Sequence, residues 1–443
     1  MIKTLADFFT RVVQRWLPNA FLFAILLTLV VLIAGMISEG QSVTAMVGFW
    51  GDGVWGLLTF SMQMVLILVT GHVFSSSPPI QALLRRLAGL ARSPGQAIIL
   101  VTVFAMLAFW INWGFGLIGS ALVAREMARR VRGVHYPLLV ASAYSSIIIW
   151  HAGLSGSIPL KLAAGGSDAL GKMLEGRVIP VSETLFDWPN LVICALLLIT
   201  LPVVNRLMMP PPEQVPPVPD SLFEDETPPA PPSRDQMTPA QRLEHSRVFS
   251  FALGGLGAWY LADHFIQGGG IDLNTISLLF LTLGVLFHQT PANYLRDFHE
   301  AVRGTSGIVL QFPLYAGIMG MMASSGLAVS ISQGFVALST PQTFPLWTFL
   351  SAGLVNFFVP SGGGQWAVQA PIVIPAADNL GVPLNRAAMA VAFGDAWTNL
   401  IQPFWTLPML AIAGLSIKDI MGYCTVALLW TGLVIMAGMA LMY

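Results

Sequence analysis

Charge is what this sequence has least of. Asp, Glu, Lys and Arg make up 10% of its 443 residues, against about 25% in an ordinary soluble domain, too few ionised groups to cover a water-facing surface. Lys and Arg (21) nearly balance Asp and Glu (22), and no segment is basic enough to hold nucleic acid. The two cysteines, Cys194 and Cys424, stand in separate apolar runs, which excludes a disulfide framework and a Cys-based metal site. Segments of about ten residues with alternating polarity, the mark of a membrane β-barrel, are missing. No structural metal and no organic cofactor is expected.

Long apolar runs are present instead. The chain is 55% hydrophobic, its mean hydropathy is +0.72, and several runs reach the roughly 20 residues that cross a bilayer. The expected fold class is an all-α polytopic membrane protein of about nine full spans plus two re-entrant hairpins. The spans are placed at 20–37, 54–75, 136–159, 188–208, 247–266, 272–290, 305–324, 384–412 and 420–441. Lys3, Arg11 and Arg15 precede the run from Phe21 to Ile37. That run is too long for a signal peptide and lacks a small-residue cleavage site, so it reads as a retained first span. Residues 209–246, rich in proline and acidic side chains (PPPEQVPPVPD, then FEDETPPAPP), are expected to form an extended cytoplasmic linker between membrane halves 1–208 and 247–443.

Two further apolar stretches, 95–130 and 343–378, are broken near the middle. The second contains NFFVPSGGGQW, Asn356 to Trp366. Proline lacks an N–H donor and glycine carries the largest backbone-entropy cost, so Pro followed by three glycines does not continue a helix. Backbone left unpaired at membrane depth persists only where protein buries it or where it lines a cavity. The first stretch breaks at NWGFG, Asn112 to Gly116. Arg85, Arg86 and Arg92 lie before it and Arg125, Arg129, Arg130 and Arg132 after it. Cytoplasmic loops collect Lys and Arg, which puts both ends on the cytoplasmic side and makes the stretch a re-entrant hairpin.

The order of these features repeats. Gln63 and the following VTGHVFSSS are echoed about 248 residues later by Gln311 and AGIMGMMASS. The break at Asn112 is echoed at Asn356, and WHAGLSGSIP (Trp150 to Pro159) by WTNLIQPFWTLP (Trp397 to Pro408). The repeats cover about 54–208 and 305–443. With the N-terminus in the cytoplasm the span count orients them oppositely, and inverted repeats with discontinuous helices are the architecture of secondary transporters.

The tips offer Asn112, Gly114 and Gly116 on one side and Asn356, Ser361, Gly362, Gly363, Gly364 and Gln365 on the other. Their carbonyls and amides suit a hard cation such as Na+, and helix N–H groups suit a carboxylate; scattered glycines also serve helix packing. GDAWTNLIQPFW puts Asp395, Thr398 or Asn399, and Gln402 at i, i+3 or i+4, and i+7, on one helix face, with Pro403 ending the helix. Asp395, ionisable within a span, is a candidate proton carrier, cation ligand or brace for the break. His151, Ser155 and Ser157 hold the equivalent place in the first half. His151 either titrates near neutral pH and couples transport to protons, or is a neutral ring bonded to a backbone carbonyl. His72 and His288, near other span ends, read as interfacial. Trp110, Trp113, Trp366, Trp397 and Trp405 flank the breaks and either wall an apolar pocket or pack the core. GLSG, Gly153 to Gly156, also fits the G-x-S-G string of intramembrane serine proteases, but such strings recur by chance in this composition and the partner copy has none. An enzyme is not expected.

NFFVPSGGGQWAVQAPIVIPAA and AFGDAWTNLIQPFWTLPMLAIAGL, with RWLPNAFLFAILLT and FWINWGFGLI nearer the N-terminus, resemble the bacterial short-chain fatty acid transporter family of the AtoE type over nearly the whole chain. The resemblance implies uptake of acetoacetate, butyrate and similar monocarboxylates across the inner membrane. It also implies kinship with divalent-anion/Na+ symporters, which pair hairpins bearing Ser-Asn-Thr tips and often work as homodimers by an elevator motion. Only Asn112, Asn356 and Thr398-Asn399 correspond to those tips, which leaves Na+ near Asn112, Asn356 and Asn399, or H+, as the coupling ion. Few cationic residues lie at membrane depth, so the substrate carboxylate is expected to meet N–H dipoles and a co-transported cation. A C4-dicarboxylate transporter and an uncoupled anion channel are the alternatives.

Overall fold

The computed structural model describes residues 2–164, 177–218, 237–270, 273–303 and 305–443. Among these residues all regular structure is helical. The first half runs through α1 (Ile2–Trp16), α2 (Ala20–Ser38), α3 (Val43–Val54), α4 (Leu58–Ser76), α5 (Pro78–Ala88), α6 (Pro94–Ile111) and α7 (Trp113–Arg130). It continues with α8 (Tyr136–Ser145), a 3-10 segment (Ser146–Ala152), α9 (Ser157–Ala164) and α10 (Trp188–Leu207). After the short α11 (Pro239–Glu244) come α12 (Arg247–Ile266), α13 (Leu273–His288), α14 (Pro291–Arg303), α15 (Ser306–Ser325) and α16 (Leu327–Ala337). The chain closes with α17 (Phe344–Phe358), α18 (Gly362–Leu380), α19 (Leu384–Asn399), α20 (Pro403–Ala413) and α21 (Ile417–Met442).

Sequence chemistry accounts for many of these boundaries. Proline stands in the first turn of α5, α6, α8, α10, α17 and α20, where its missing N–H costs nothing and its fixed φ suits the helix. The side chains of Asn19, Ser42 and Ser93 cap α2, α3 and α6, accepting amides that no helical carbonyl reaches. In α1, Lys3, Asp7, Arg11 and Arg15 recur every four residues and form one polar stripe, while its apolar face lies along α21.

Contacts divide most of the helices into two sets. In one, α15 packs on α2, α3 and α4, and α4 packs on α13 and α14. In the other, α6 to α10 and the 3-10 segment pack among themselves and against α17 to α21. Contacts of α4 with α7, and of α15 with α17 and α20, join the sets. The broken stretches and interrupted helices all belong to the second set, so the polar breaks are concentrated there.

Among the described residues six helical segments are long and apolar enough to cross a membrane, which makes this a multi-pass membrane protein. Five of them fall on expected spans, and the sixth, Pro94–Ile111, is an arm of the first broken stretch. The stretch expected to span 54–75 begins only at Leu58, because α3 is a separate helix ending at Val54. The expected span 384–412 is two helices, and Pro403 opens the second rather than ending the first. Gln402 is the N-cap of α20, so it does not share a helical face with Asp395. His288 is buried rather than interfacial: its ring nitrogens lie 2.8 Å from the Gly284 carbonyl and 2.8 Å from Asp297. The centre of the expected linker, 219–236, lies outside the described residues. Its ends hold a 3-10 turn at Pro212–Gln214 and α11, closed by a Thr238–Gln241 capping box.

Glycine sets how closely α17 and α19 approach. A Cβ at Gly394 would overlap the Phe349 carbonyl oxygen, a backbone atom that cannot swing aside. Overpacking of this kind costs about 1–3 kcal/mol. Gly394→Ala is therefore expected to lower the melting temperature of the detergent-purified protein by several degrees or to abolish its folding. Gly48→Ala, in open space on α3, should leave it unchanged or raised; equal melting curves for the two variants would contradict this packing account.

Candidate functional site

At the first tip a single residue, Asn112, leaves helical geometry, with φ −157° and ψ 127°. Its side-chain oxygen accepts from the Phe115 amide at 3.0 Å and so caps α7. The remaining free backbone is met by the break after the 3-10 segment. The Trp113 amide donates to Ser155 Oγ at 3.0 Å, and the Leu154 amide to the Trp110 carbonyl at 2.7 Å. Gly114 is buried in the first turn of α7. Gly116 sits against Phe109, where a Cβ would lie 2.6 Å from the ring, so this glycine lets the arms close. Ser155 thus pins the tip. Among the described residues no hydrogen bond joins it to His151, so the protease-like string has no nucleophile–base pair behind it.

At the second tip Ser361 caps α18, with Oγ 3.4 Å from the Gly364 amide. The amides of Gly362 and Gly363 have no partner within the helix, as in any first turn. Gln365 braces the hairpin from inside: its amide donates to the Ala352 carbonyl of α17 and to Gln369, both at 2.8 Å. Gln369 donates onward to Ser332 of α16 at 3.0 Å. Gln402 has a similar task, donating to the Phe357 carbonyl at 3.2 Å. These two glutamines hold elements in place.

Asn356 lies at the centre of a tighter cluster. Its side-chain nitrogen is within 2.8 Å of the Asp395 carbonyl, 2.9 Å of Thr398 Oγ1 and 2.8 Å of Asn399 Oδ1. An amide group has two hydrogens for these three acceptors. Asn356 Oδ1, Asn399 Nδ2 and Asp395 Oδ1 are buried without any partner. Unpartnered buried polar atoms cost about 1–3 kcal/mol each and are rare. Three such atoms fall on adjoining residues here, which makes this cluster the candidate site.

The two halves meet at His151 and Asp395, both fully buried, with Nδ1 2.8 Å from Oδ2. His151 Nε2 accepts from the Ile158 amide at 3.1 Å. The ring is therefore bonded to a carboxylate and a backbone N–H, not to the backbone carbonyl considered from sequence. Tyr144 adds a second link, its hydroxyl donating to the Asn399 carbonyl at 2.6 Å. Tip 2 rests on this junction, since a Cβ at Gly362 would lie 2.6 Å from His151 Cε1 and 3.1 Å from the Trp150 ring. Trp150 stacks on His151 at 4.1 Å and lies 6.3 Å from Trp113, which meets Trp405 at 5.1 Å. Trp113 and Trp405 thus join an aromatic wall between the tips. Trp110 instead meets Phe186, Trp397 donates to the Leu428 carbonyl, and Trp366 is fully buried.

Lys161 was not singled out from sequence. Its ammonium lies 3.5 Å from the Gly363 carbonyl, on tip 2. The span expected to end at Pro159 placed it outside the membrane, whereas α9 continues to Ala164. A lone Lys in an apolar segment after a polar break was the available signal. A separate cavity of about 290 Å³ is lined by Asn19, Gly307, Leu407, Ser416 and Lys418, among others, and by no tip residue. The convergent buried polar groups, rather than that cavity, locate the site.

The family model described as short chain fatty acid transporter matches residues 1–442. A protein of Escherichia coli (strain K12), provisionally named a short-chain fatty acid transporter, is 46% identical over 442 residues, covering 100% of both chains. One of Haemophilus influenzae with the same provisional name is 40% identical over 450 residues and 99% of each chain. Among solved structures, the YdaH transporter of Alcanivorax borkumensis aligns with a TM-score of 0.45 and 14% identity, over 96% of this chain and 97% of that one. MtrF of Neisseria gonorrhoeae, of a class of antimetabolite efflux pumps, aligns at 0.39 and 15% over 97% of each. With full-length coverage by the family model and by two relatives at 40% identity or more, the chain belongs to the short-chain fatty acid transporter family.

Proposed function

We propose that this chain takes up short-chain monocarboxylates, acetoacetate and butyrate among them, across a bacterial inner membrane by cation-coupled alternating access. The observation that carries the proposal is the meeting of two broken stretches and two interrupted helices around tip 2. His151 stands at Gly362 and Lys161 at Gly363. The carboxylate is met by the Lys161 ammonium and the first amides of α18, and its short apolar tail by the Trp113–Trp150–Trp405 wall. The coupling cation, Na+ or H+, belongs to the Asn356–Asp395–Asn399 side. Asn112, whose oxygen is committed to capping α7, holds tip 1 rather than the ion.

Recurrent element order supports the inverted-repeat arrangement. From α4 to α9, each helix of the first half starts within two residues of its counterpart from α15 to α20 after a shift of 248. In this arrangement the hairpin arms tilt, because 18 residues extend about 27 Å, close to the full hydrocarbon thickness of about 30 Å. One cationic side chain at the tips favours a substrate with one carboxylate over a C4-dicarboxylate. The N-terminus is placed in the cytoplasm with the arginine clusters that flank the first hairpin.

The test is uptake of labelled butyrate and acetoacetate into proteoliposomes, with uptake by protein-free liposomes subtracted because the neutral acids cross lipid unaided. Saturable accumulation driven by one imposed cation gradient is expected. Saturable flux without accumulation would make the protein a channel, and preference for succinate would make it a dicarboxylate carrier. Asn356→Ala and Asn399→Ala should each abolish saturable uptake; normal uptake in both would remove these residues from the site.

Lys161→Met should raise KM for butyrate roughly ten- to a hundredfold, the loss of one charge-assisted hydrogen bond of about 1.5–3 kcal/mol. Its melting temperature should stay near that of the wild type, because the ammonium braces no buried group. An unchanged KM would leave the carboxylate to the helix amides alone.

A further inference from the structure

We propose that the coupling ion is a proton carried on Oδ1 of Asp395, with His151 as a fixed Nδ1–H donor that positions the carboxyl group. This rests on the coupled-uptake reading above and narrows it.

The tautomer follows from the neighbours. A backbone amide only donates, so the Ile158 N–H at 3.1 Å requires a bare Nε2 on His151. The single ring proton then sits on Nδ1 and points to Asp395 Oδ2 at 2.8 Å. Oδ2 is an acceptor in this arrangement whether or not the other carboxyl oxygen is protonated. A second proton on the ring would have to occupy Nε2, breaking the bond to Ile158 and orphaning an amide in the first turn of α9. The vacant protonation site is Asp395 Oδ1, which is buried and has no partner. The carboxyl group thus has one neutral donor, His151, on Oδ2 and none on Oδ1.

The surroundings supply no competing counter-ion. Asp395 lies on α19, which packs against α17, α18, α21, α9 and the 3-10 segment. Helix α17 has no titratable side chain. The carboxylate of α18, Asp378, is engaged by Arg177 in a two-bond pair at 2.8 and 2.9 Å. On α21 stand Tyr423 and the buried Cys424, with Lys418 and Asp419 in the first turn. α9 contributes Lys161, which bonds tip 2, and the 3-10 segment contributes His151. Among the described residues Asp395 forms no ion pair with any Lys or Arg. Asp395 Oδ1 has no hydrogen-bond donor within reach, so a proton can be placed on it without breaking any bond.

Tip 2 links this proton to the substrate. Gly362 lies on the His151 ring and Gly363 beside the Lys161 ammonium. The proposed carboxylate and proton sites therefore lie beside consecutive residues of tip 2.

The experiment compares wild type, Asp395→Asn, Asp395→Glu and His151→Gln in proteoliposomes with labelled butyrate. Asp395→Asn preserves an acceptor for His151 but cannot release a proton. It should lose uptake driven by an alkaline interior, down to the level of protein-free liposomes, while keeping butyrate–butyrate exchange that no longer varies with pH. Asp395→Glu should retain pH-driven uptake, and His151→Gln should shift its pH midpoint without removing it. The infrared difference spectrum between acid and alkaline pH should contain a protonated-carboxyl band that Asp395→Asn lacks, a readout that a purely structural role would not move. The assignment is overturned if Asp395→Asn still accumulates butyrate under a pH gradient, or if a Na+ gradient alone drives the wild type. Either result leaves the transport reading standing, whereas absence of saturable butyrate exchange in the wild type overturns both.

Discussion

The fold depends on one constraint: a helix interrupted at membrane depth must find other partners for the backbone groups it frees. Here each interruption is satisfied by another. Ser155 takes the Trp113 amide, and the Leu154 amide takes the Trp110 carbonyl. In the second half Asn356 donates to the Asp395 carbonyl and Gln402 to that of Phe357. A made hydrogen bond is worth only about 1 kcal/mol net, but each orphan left behind costs about 1–3 kcal/mol. Hairpin tip and interrupted helix in one half therefore stabilise each other, and neither is tolerable alone.

Between the halves the links include bonds of a different chemical kind. His151 to Asp395, Tyr144 to the Asn399 carbonyl, and Tyr136 to the Ala413 carbonyl all cross from the first half to the second. The glycines of PSGGGQ take distinct parts in this junction. Gly362 is needed because any side chain would strike His151, while Gly364 receives the cap from Ser361. Read only as chain-breakers, the three residues look equivalent; against their neighbours they are not.

Local signals explain what was legible in the sequence. Apolar runs set the helices, and Pro-Ser-Gly-Gly-Gly and Asn-Trp-Gly mark the tips, because backbone chemistry acts over a few residues. The pairing of His151 with Asp395, 244 residues apart, leaves no such mark. Gln365 and Gln402 looked like ligands because their acceptors are carbonyls on other helices, which sequence spacing does not show. Pro403 was placed at a helix boundary but on its wrong side, since proline suits a first turn as well as a stop. Lys161 carries no such mark, because the apolar run that suggests a span ends at Pro159 while α9 continues five residues further to Ala164.

Charge accounting ties the junction to coupling. The amides of Asn356, Asn399, Gln365 and Gln402 are neutral and add no charge to the site. In the proposed cycle the Lys161 ammonium and the ionised Asp395 carboxylate stand on the two sides of tip 2, so the site without substrate and ion is neutral overall. A carboxylate and a cation bound together leave it neutral again. Carboxylate alone or cation alone leaves one uncompensated charge, and moving such a charge through low dielectric costs several kcal/mol. Since each 1.4 kcal/mol is a factor of ten in population, the proposed cycle disfavours the half-loaded carrier by orders of magnitude. In the proposed cycle, strict coupling then needs no separate gate: the same opposed pair that holds substrate and ion also prevents the carrier from moving with only one of them.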